Sequence, residues 1–363
     1  MADAAPDSTE TRTTVPAWLH TSAAWTWRLL LLVVAGGLVL RTLSSTMVVS
    51  LPVIVAIIVC TLAVPPARWL QARGLAPAAA AGVVVIGGVA VVIAFIAVLT
   101  PSFVDQFSEL GPTLESAQED VLNWLENGPL GYDREQVEDL LSNLSSTASG
   151  SSGSLVTGVL SGVSILVQGL AALLLFVVLL FFFVKDGEDI VRWLQDRTPA
   201  RHREVVNAVG ARAWSALGGY VRGTALIALI DAVGIGIGLA ILGVPLVLPL
   251  SVLVFLGGFI PVIGAFLAGM LAVLVALADG GITTAAIALA VILAVQQLEG
   301  NLLQPMIMRR AVSLHPIVIL VAVAAGAALA GIVGAFLAVP ISAVVSAAGN
   351  ELRLRSERIP AEA

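Results

Sequence analysis

One carboxylate stands alone in a long apolar stretch: Asp231 is the only charged residue between Arg222 and Asp279. An ionised carboxylate near the centre of a membrane helix costs about 2.5–3.5 kcal/mol on insertion scales, so it faces a cavity or a partner. There it can bind a cation, or take and release a proton. A neutral Asp bonded to a neighbouring carbonyl, serving only packing, is the equal alternative. A second concentration of polar groups sits around Glu299. Gln296 and Gln297 precede it, and Asn301, Gln304 and Pro305 follow. Side chains of this kind, gathered where an apolar helix breaks, can replace a solute's hydration shell. An ordinary polar helix end is the rival reading.

These residues need a scaffold, and the composition supplies one. Of 363 residues, 58% are hydrophobic and only 12% charged, with a mean hydropathy of +1.01. A soluble domain carries about 25% charged residues. Uncharged runs of 18 or more residues recur, and about 20 helical residues cross a hydrocarbon core. The expected fold is an all-α polytopic membrane protein with about eight hydrophobic segments, its direct partner the lipid bilayer. Cys60 is the single cysteine and lies inside an apolar run, so no intrachain disulfide can form. His20, His202 and His315 lack metal-ligand spacing, and neither metal nor cofactor is expected.

Residues 1–24 read as a polar cytoplasmic tail without signal-peptide features. Three transmembrane helices are expected within 25–100, at about 25–43, 47–64 and 75–99. Trp25 and Trp27 mark an interface, and Pro65 and Pro66 are expected to stop the second helix. Residues 101–154 change character, with ten acids against Arg134 alone and a Ser/Gly linker at 145–154. They read as a small acidic helical lobe outside the cytoplasm. Residues 155–184 form a further transmembrane helix. The 185–222 region holds seven Lys/Arg against five acids and reads as a cytoplasmic basic helical region. Because Lys and Arg concentrate in cytoplasmic loops, Arg68, Arg73 and the 349–363 tail fall on that same side. The inferred location is a bacterial inner membrane, with both termini cytoplasmic.

The remaining part, 223–348, is less regular and is the expected transport region. Crossings are expected at 223–243 and 282–298. Between them, 244–278 would span about 50 Å as a straight helix, too long for one crossing and too short for two. Its centre contains Gly257, Gly258, Pro261 and Gly264, which a continuous helix tolerates poorly. A re-entrant hairpin fits both facts. The same logic makes 316–348 a hairpin, broken at Gly326, Gly331, Gly334 and Pro340. This topology leaves Arg309 and Arg310 cytoplasmic. Non-helical backbone at membrane depth survives only where protein buries it or water lines it, so two broken segments point to a transport site.

Other features carry less. Gly187 is expected to cap a helix C-terminus with Lys185 favouring its dipole. Gly234 and Gly238 have the spacing of helix packing. The sequence contains no phosphate-binding loop, H-E-x-x-H or G-x-S-x-G pattern. Nor does it have a dense basic run for nucleic acid. No enzymatic activity is expected.

A set of ordered motifs resembles a known family. Phe181-Phe182-Phe183-Val184-Lys185-Asp186-Gly187 closes one helix and Tyr220-Val221-Arg222-Gly223 follows. Next come Ile260-Pro261-Val262-Ile263-Gly264 and Glu299-Gly300-Asn301-Leu302-Leu303-Gln304-Pro305. Leu314-His315-Pro316 and the stretch from Gly331-Ile332-Val333-Gly334 to Pro340 complete it. In order and spacing the chain resembles the AI-2E family of transporters, the PerM-type permeases, over nearly its whole length. The resemblance implies a multi-pass homo-oligomeric membrane protein. It also implies either export of the quorum-sensing signal autoinducer-2 or sodium/proton antiport. Val262 and Arg310 stand where the family often has Tyr and Gly, so the resemblance does not name the solute. The leading reading is a secondary transporter of a small polar solute, with Asp231 and Glu299 as coupling carboxylates. Antiport of Na+ against H+ on this scaffold is the alternative. A non-transporting anchor that presents the acidic lobe to a partner is the reading from another class.

Overall fold

The computed structural model describes residues 17–97, 158–260, 263–308 and 315–358. The acidic lobe and linker, Pro261, Arg309 and Arg310 lie outside the described residues. Among the described residues there is no strand. Six helices are long and apolar enough to cross a membrane, and the protein is a multi-pass helical membrane protein.

The chain divides into two compact units, Met1–Leu51 and Pro52–Ala363. The first holds α1 (Ala17–Ser45), a helix exposing Trp25, Trp27, Leu30 and Leu31. Apolar surface of this kind is stable against lipid, with the tryptophans suited to its interface. Helix α2 (Met47–Ala72) begins directly after it, across a turn in which the Val49 N–H donates to Thr46 O at 2.9 Å.

In the second unit, α2, α3 (Pro77–Ala97) and α4 (Gly158–Arg197) pack around Ala56, Cys60, Ala63, Ala81, Val85 and Leu180. The shared alanines let backbones approach closely, which drives helix association where lipid removes the hydrophobic force. Two expected helix ends are absent. Pro65 and Pro66 sit inside α2, which continues to Ala72. Gly187 does not cap α4: the helix kinks at Asp186 (φ −111°, ψ 15°) and runs on to Arg197. At the kink, Lys185 Nζ donates to Asp186 Oδ2 at 3.2 Å, so the KDG motif bends the helix and does not end it.

The following elements form a separate hydrophobic core around Ile235, Leu239, Leu250, Val254, Ala272 and Ala276. Helix α5 (Ala200–Ile241) has 42 residues and is about 63 Å long, twice a bilayer core. It ends in a tight connection with two left-handed residues, Gly243 (φ 73°) and Leu246 (φ 61°). A leucine in that conformation stores about 1–2 kcal/mol of strain. Helix α6 (Val247–Gly257) has only 11 residues. Helix α7 (Ile263–Leu298) is interrupted at Gly281 (φ 66°, ψ −169°). Gly269 and Ile292 lie in contact across that break, since a Cβ on Gly269 would meet Ile292 Cγ2 at 3.4 Å. The chain therefore reverses at Gly281, and 263–280 runs antiparallel to 282–298.

Both broken segments reverse direction as well. Gly257 lies against Gly264: a Cβ on Gly257 would stand 2.7 Å from the Gly264 carbonyl oxygen. No larger residue fits at either position. Gly326 and Gly334 lie in the same kind of backbone contact, although a straight helix would hold residues eight apart about 12 Å from one another. The reversal inside α9 (Pro316–Arg358) falls at Ala330 and Gly331 (φ 59°, ψ −142°). That backbone region is open essentially to glycine alone. Pro340, an expected break, is instead buried within the helix. The cost of an interior proline is tolerable in a bundle, where neighbouring groups re-satisfy the freed carbonyl.

Candidate functional site

The polar residues converge on a cavity of about 870 Å³ in the second unit. Helix α5 presents Tyr220, Thr224, Ile227, Asp231 and Ile235 to it. Steps of four, three, four and four place these five on one helical face. The arm 282–298 contributes Leu289, Ile292, Leu293 and Gln296, again at helical spacing. The arm 263–280 supplies Ala265, Phe266, Gly269, Met270, Val273 and Leu274. Each broken segment reaches the wall. Val254, Gly258 and Ile260 come from the first, Ile319 and Val339 from the two arms of the second.

Asp231 is 5% exposed, and its Oδ1 has no hydrogen-bond partner. Its carboxyl group interacts with that of Glu299, so two acids from distant segments meet at the cavity wall. No lysine, arginine or histidine lines the cavity among the described residues. Two facing carboxylates in apolar surroundings require a cation or a shared proton between them.

A local helix defect positions Glu299. Residues Glu299–Leu303 form a π-turn, and the Gln304 N–H donates to the carbonyl of Glu299, five residues back. Pro305 has no N–H to continue the α-helical ladder, and Gly300 adds backbone freedom. Single π-turns recur at functional sites because they rotate side chains out of helical register. Here the turn brings Gln304 over Glu299, and its Nε2 donates to Glu299 Oε1 at 3.0 Å. Helix α8 (Gln304–Met308) follows.

Of the six expected polar residues, Asp231, Gln296, Glu299 and Gln304 share the cavity, whereas Gln297 and Asn301 are exposed and do not line it. Thr224 was not anticipated; its spacing of seven residues from Asp231 was the available signal. Tyr220, expected only as a family motif, lines the cavity, while Arg222 does not. Gly234 and Gly238 pack as expected, against Val295 and Val291 of the antiparallel arm. His315 sits just before α9, where its Nδ1 accepts from the Ile317 N–H at 3.3 Å, and Pro316 opens that helix. Both are remote in role from the carboxyl pair.

Away from the cavity, ion pairs join helices. Arg68 Nη2 meets Glu188 Oε1 at 3.0 Å, tying α2 to α4. Arg355 Nη1 meets Glu204 Oε1 at 3.0 Å, tying the end of α9 to the start of α5.

The family model described as AI-2E family transporter matches residues 28–354. A Mycobacterium tuberculosis protein named "Putative transport protein MT0215" is 40% identical over 319 residues, covering 88% of this chain and 87% of its own length. "Putative transport protein YrrI" of Bacillus subtilis is 35% identical over 180 residues, covering 49% and 51%. "Putative permease PerM" of Escherichia coli is 30% identical over 176 residues, covering 48% and 50%. The family match takes in every element that builds the cavity, from α5 through α9, and the chain belongs to the AI-2E family of transporters.

Proposed function

We propose that the protein is a secondary transporter whose solute passes through the cavity between the two broken segments. Asp231 and Glu299 are the groups that meet the solute or its coupling ion. One observation carries this reading. Six polar side chains from three stretches of sequence converge on one large space that both broken segments help to line. In lipid, such a convergence is stable only if something polar occupies it. Gln296 and Gln304 set the hydrogen bonding around the acids.

The protein sits in the bacterial inner membrane with both termini cytoplasmic and the acidic 101–154 lobe outside. The broken segments are re-entrant, the first entering from outside and the second from the cytoplasm. Two ion pairs support this topology: Arg68–Glu188 and Arg355–Glu204 each join segments that the positive-inside rule assigns to the cytoplasm. No basic residue lines the cavity among the described residues, which favours Na+/H+ exchange as the second reading, because a cation can then replace the proton directly.

The test is flux in proteoliposomes, with autoinducer-2 and sodium measured separately. Asp231→Asn and Glu299→Gln should each lower the flux that wild type supports by tenfold or more. Undiminished flux in both variants would remove the carboxylates from the mechanism.

A further inference from the structure

We propose that the cavity takes an organic monocation with an apolar body, its positive head between Asp231 and Glu299 and its body along the aliphatic walls. The inference rests on the transport reading above and names the substrate class of that same site. Four observations lead to it.

The first is charge. Asp231 is 5% exposed, Oδ1 is unpartnered and the charged group its carboxyl interacts with is another acid, Glu299. No cationic side chain lines the space among the described residues. An anionic solute would meet repulsion that none of the described lining residues offsets.

The second is size. The cavity measures about 870 Å³, whereas one water molecule takes about 30 Å³ of liquid. A bare sodium ion would use only the carboxyl end and leave most of the wall without a partner.

The third is the wall. The faces supplied by 263–280 and 282–298 are aliphatic apart from Phe266 and Gln296. A solute rich in hydroxyls would find few hydrogen-bonding groups there, and each buried unpaired hydroxyl is costly. Gln304 is already committed to Glu299. An apolar body, in contrast, gains from burial against the same surface.

The fourth is the aromatic complement. Tyr220 and Phe266 both border the space, and ring faces attract ammonium groups in water-poor surroundings. Carboxylates, aromatic rings and aliphatic walls, with no basic residue among the described ones, together form a receptor for an amphipathic cation.

The experiment uses the full chain in detergent and isothermal titration with defined probes. These are phenyltrimethylammonium, the smaller tetramethylammonium, the anion phenylacetate and sodium chloride. Phenyltrimethylammonium should bind at least tenfold more tightly than tetramethylammonium, and phenylacetate should give no saturable heat. Asp231→Asn and Glu299→Gln should each weaken phenyltrimethylammonium by tenfold or more with an unchanged melting curve. Asp231→Glu, which keeps the charge, should recover part of the loss. Equal binding of phenylacetate, no preference for the phenyl probe, or wild-type affinity in both neutral variants would overturn the proposal. So would no binding of any organic cation beside clear binding of sodium. None of these results touches water access to the cavity, which tests the transport reading by itself.

Discussion

The α2–α4 cluster and the α5–α9 assembly are made from the same few apolar residue types, yet one is filled and the other hollow. In the cluster, Ala56, Ala63 and Ala81 bring three helices together around Cys60, which is 3% exposed, and the buried polar side chain nearby, Thr61, is satisfied by donating to Ile58 O at 2.7 Å. In the assembly, packing is equally close at Ile235, Leu239 and Ala272, but the helices part around Asp231 and Glu299. The difference lies in the backbone. Three chain reversals, one closed by the Gly257–Gly264 contact and the others at Gly281 and Ala330–Gly331, let short helical arms stand side by side with a gap between them. Helices without such reversals, joined by alanine seams, close onto one another.

The hollow region depends most on the glycine contact that closes the first reversal, Gly257 against Gly264. Gly264→Leu drives a side chain into the Gly257 backbone, and overpacking of this kind costs at least about 1–3 kcal/mol. The expected result is a large loss of folded protein, or a melting temperature lower by several degrees. Cys60 should stay protected from thiol reagents in whatever folded fraction remains. A variant as stable as wild type would show that the Gly257–Gly264 contact is not required.

Gly331→Ala tests the second hairpin with a smaller change. Its φ of 59° and ψ of −142° suit glycine, and forcing another residue there costs about 1–3 kcal/mol. A thermal melt should show a clear decrease without loss of expression. Arg355→Ala, at the exposed Glu204 pair, should leave the melting curve unchanged, since such pairs contribute little. A large shift there would move weight from the hairpins to the helix ends.

Much of this architecture is legible in the sequence, and the parts that are not have physical reasons. The excess length of 244–278, with Gly257 and Gly264 at its centre, points directly to the first reversal. The expected crossing at 282–298 begins at the residue after the Gly281 break. Pro65, Pro66 and Pro340 mislead because a proline removes one hydrogen bond, and a helix among other helices survives that loss. Gly187 misleads because a glycine caps a helix only when it adopts positive φ, and here the chain bends at Asp186 instead. Asp231 and Glu299 stand out as lone charges, but nothing in their separation of 68 residues announces that they meet. The aliphatic wall is invisible in advance. A leucine facing lipid and a leucine facing a cavity obey the same hydropathy, and only the reversals decide which is which.

The most direct measurement is thiol accessibility in intact membrane vesicles. Wild type, whose one cysteine is Cys60, is compared with Gln296→Cys using a water-soluble cationic methanethiosulfonate reagent. The expected result is rapid modification at position 296 with Cys60 silent, because the cavity admits water and the α2–α4 core does not. If position 296 proves as unreactive as Cys60, the α5–α9 assembly is sealed and holds no passage.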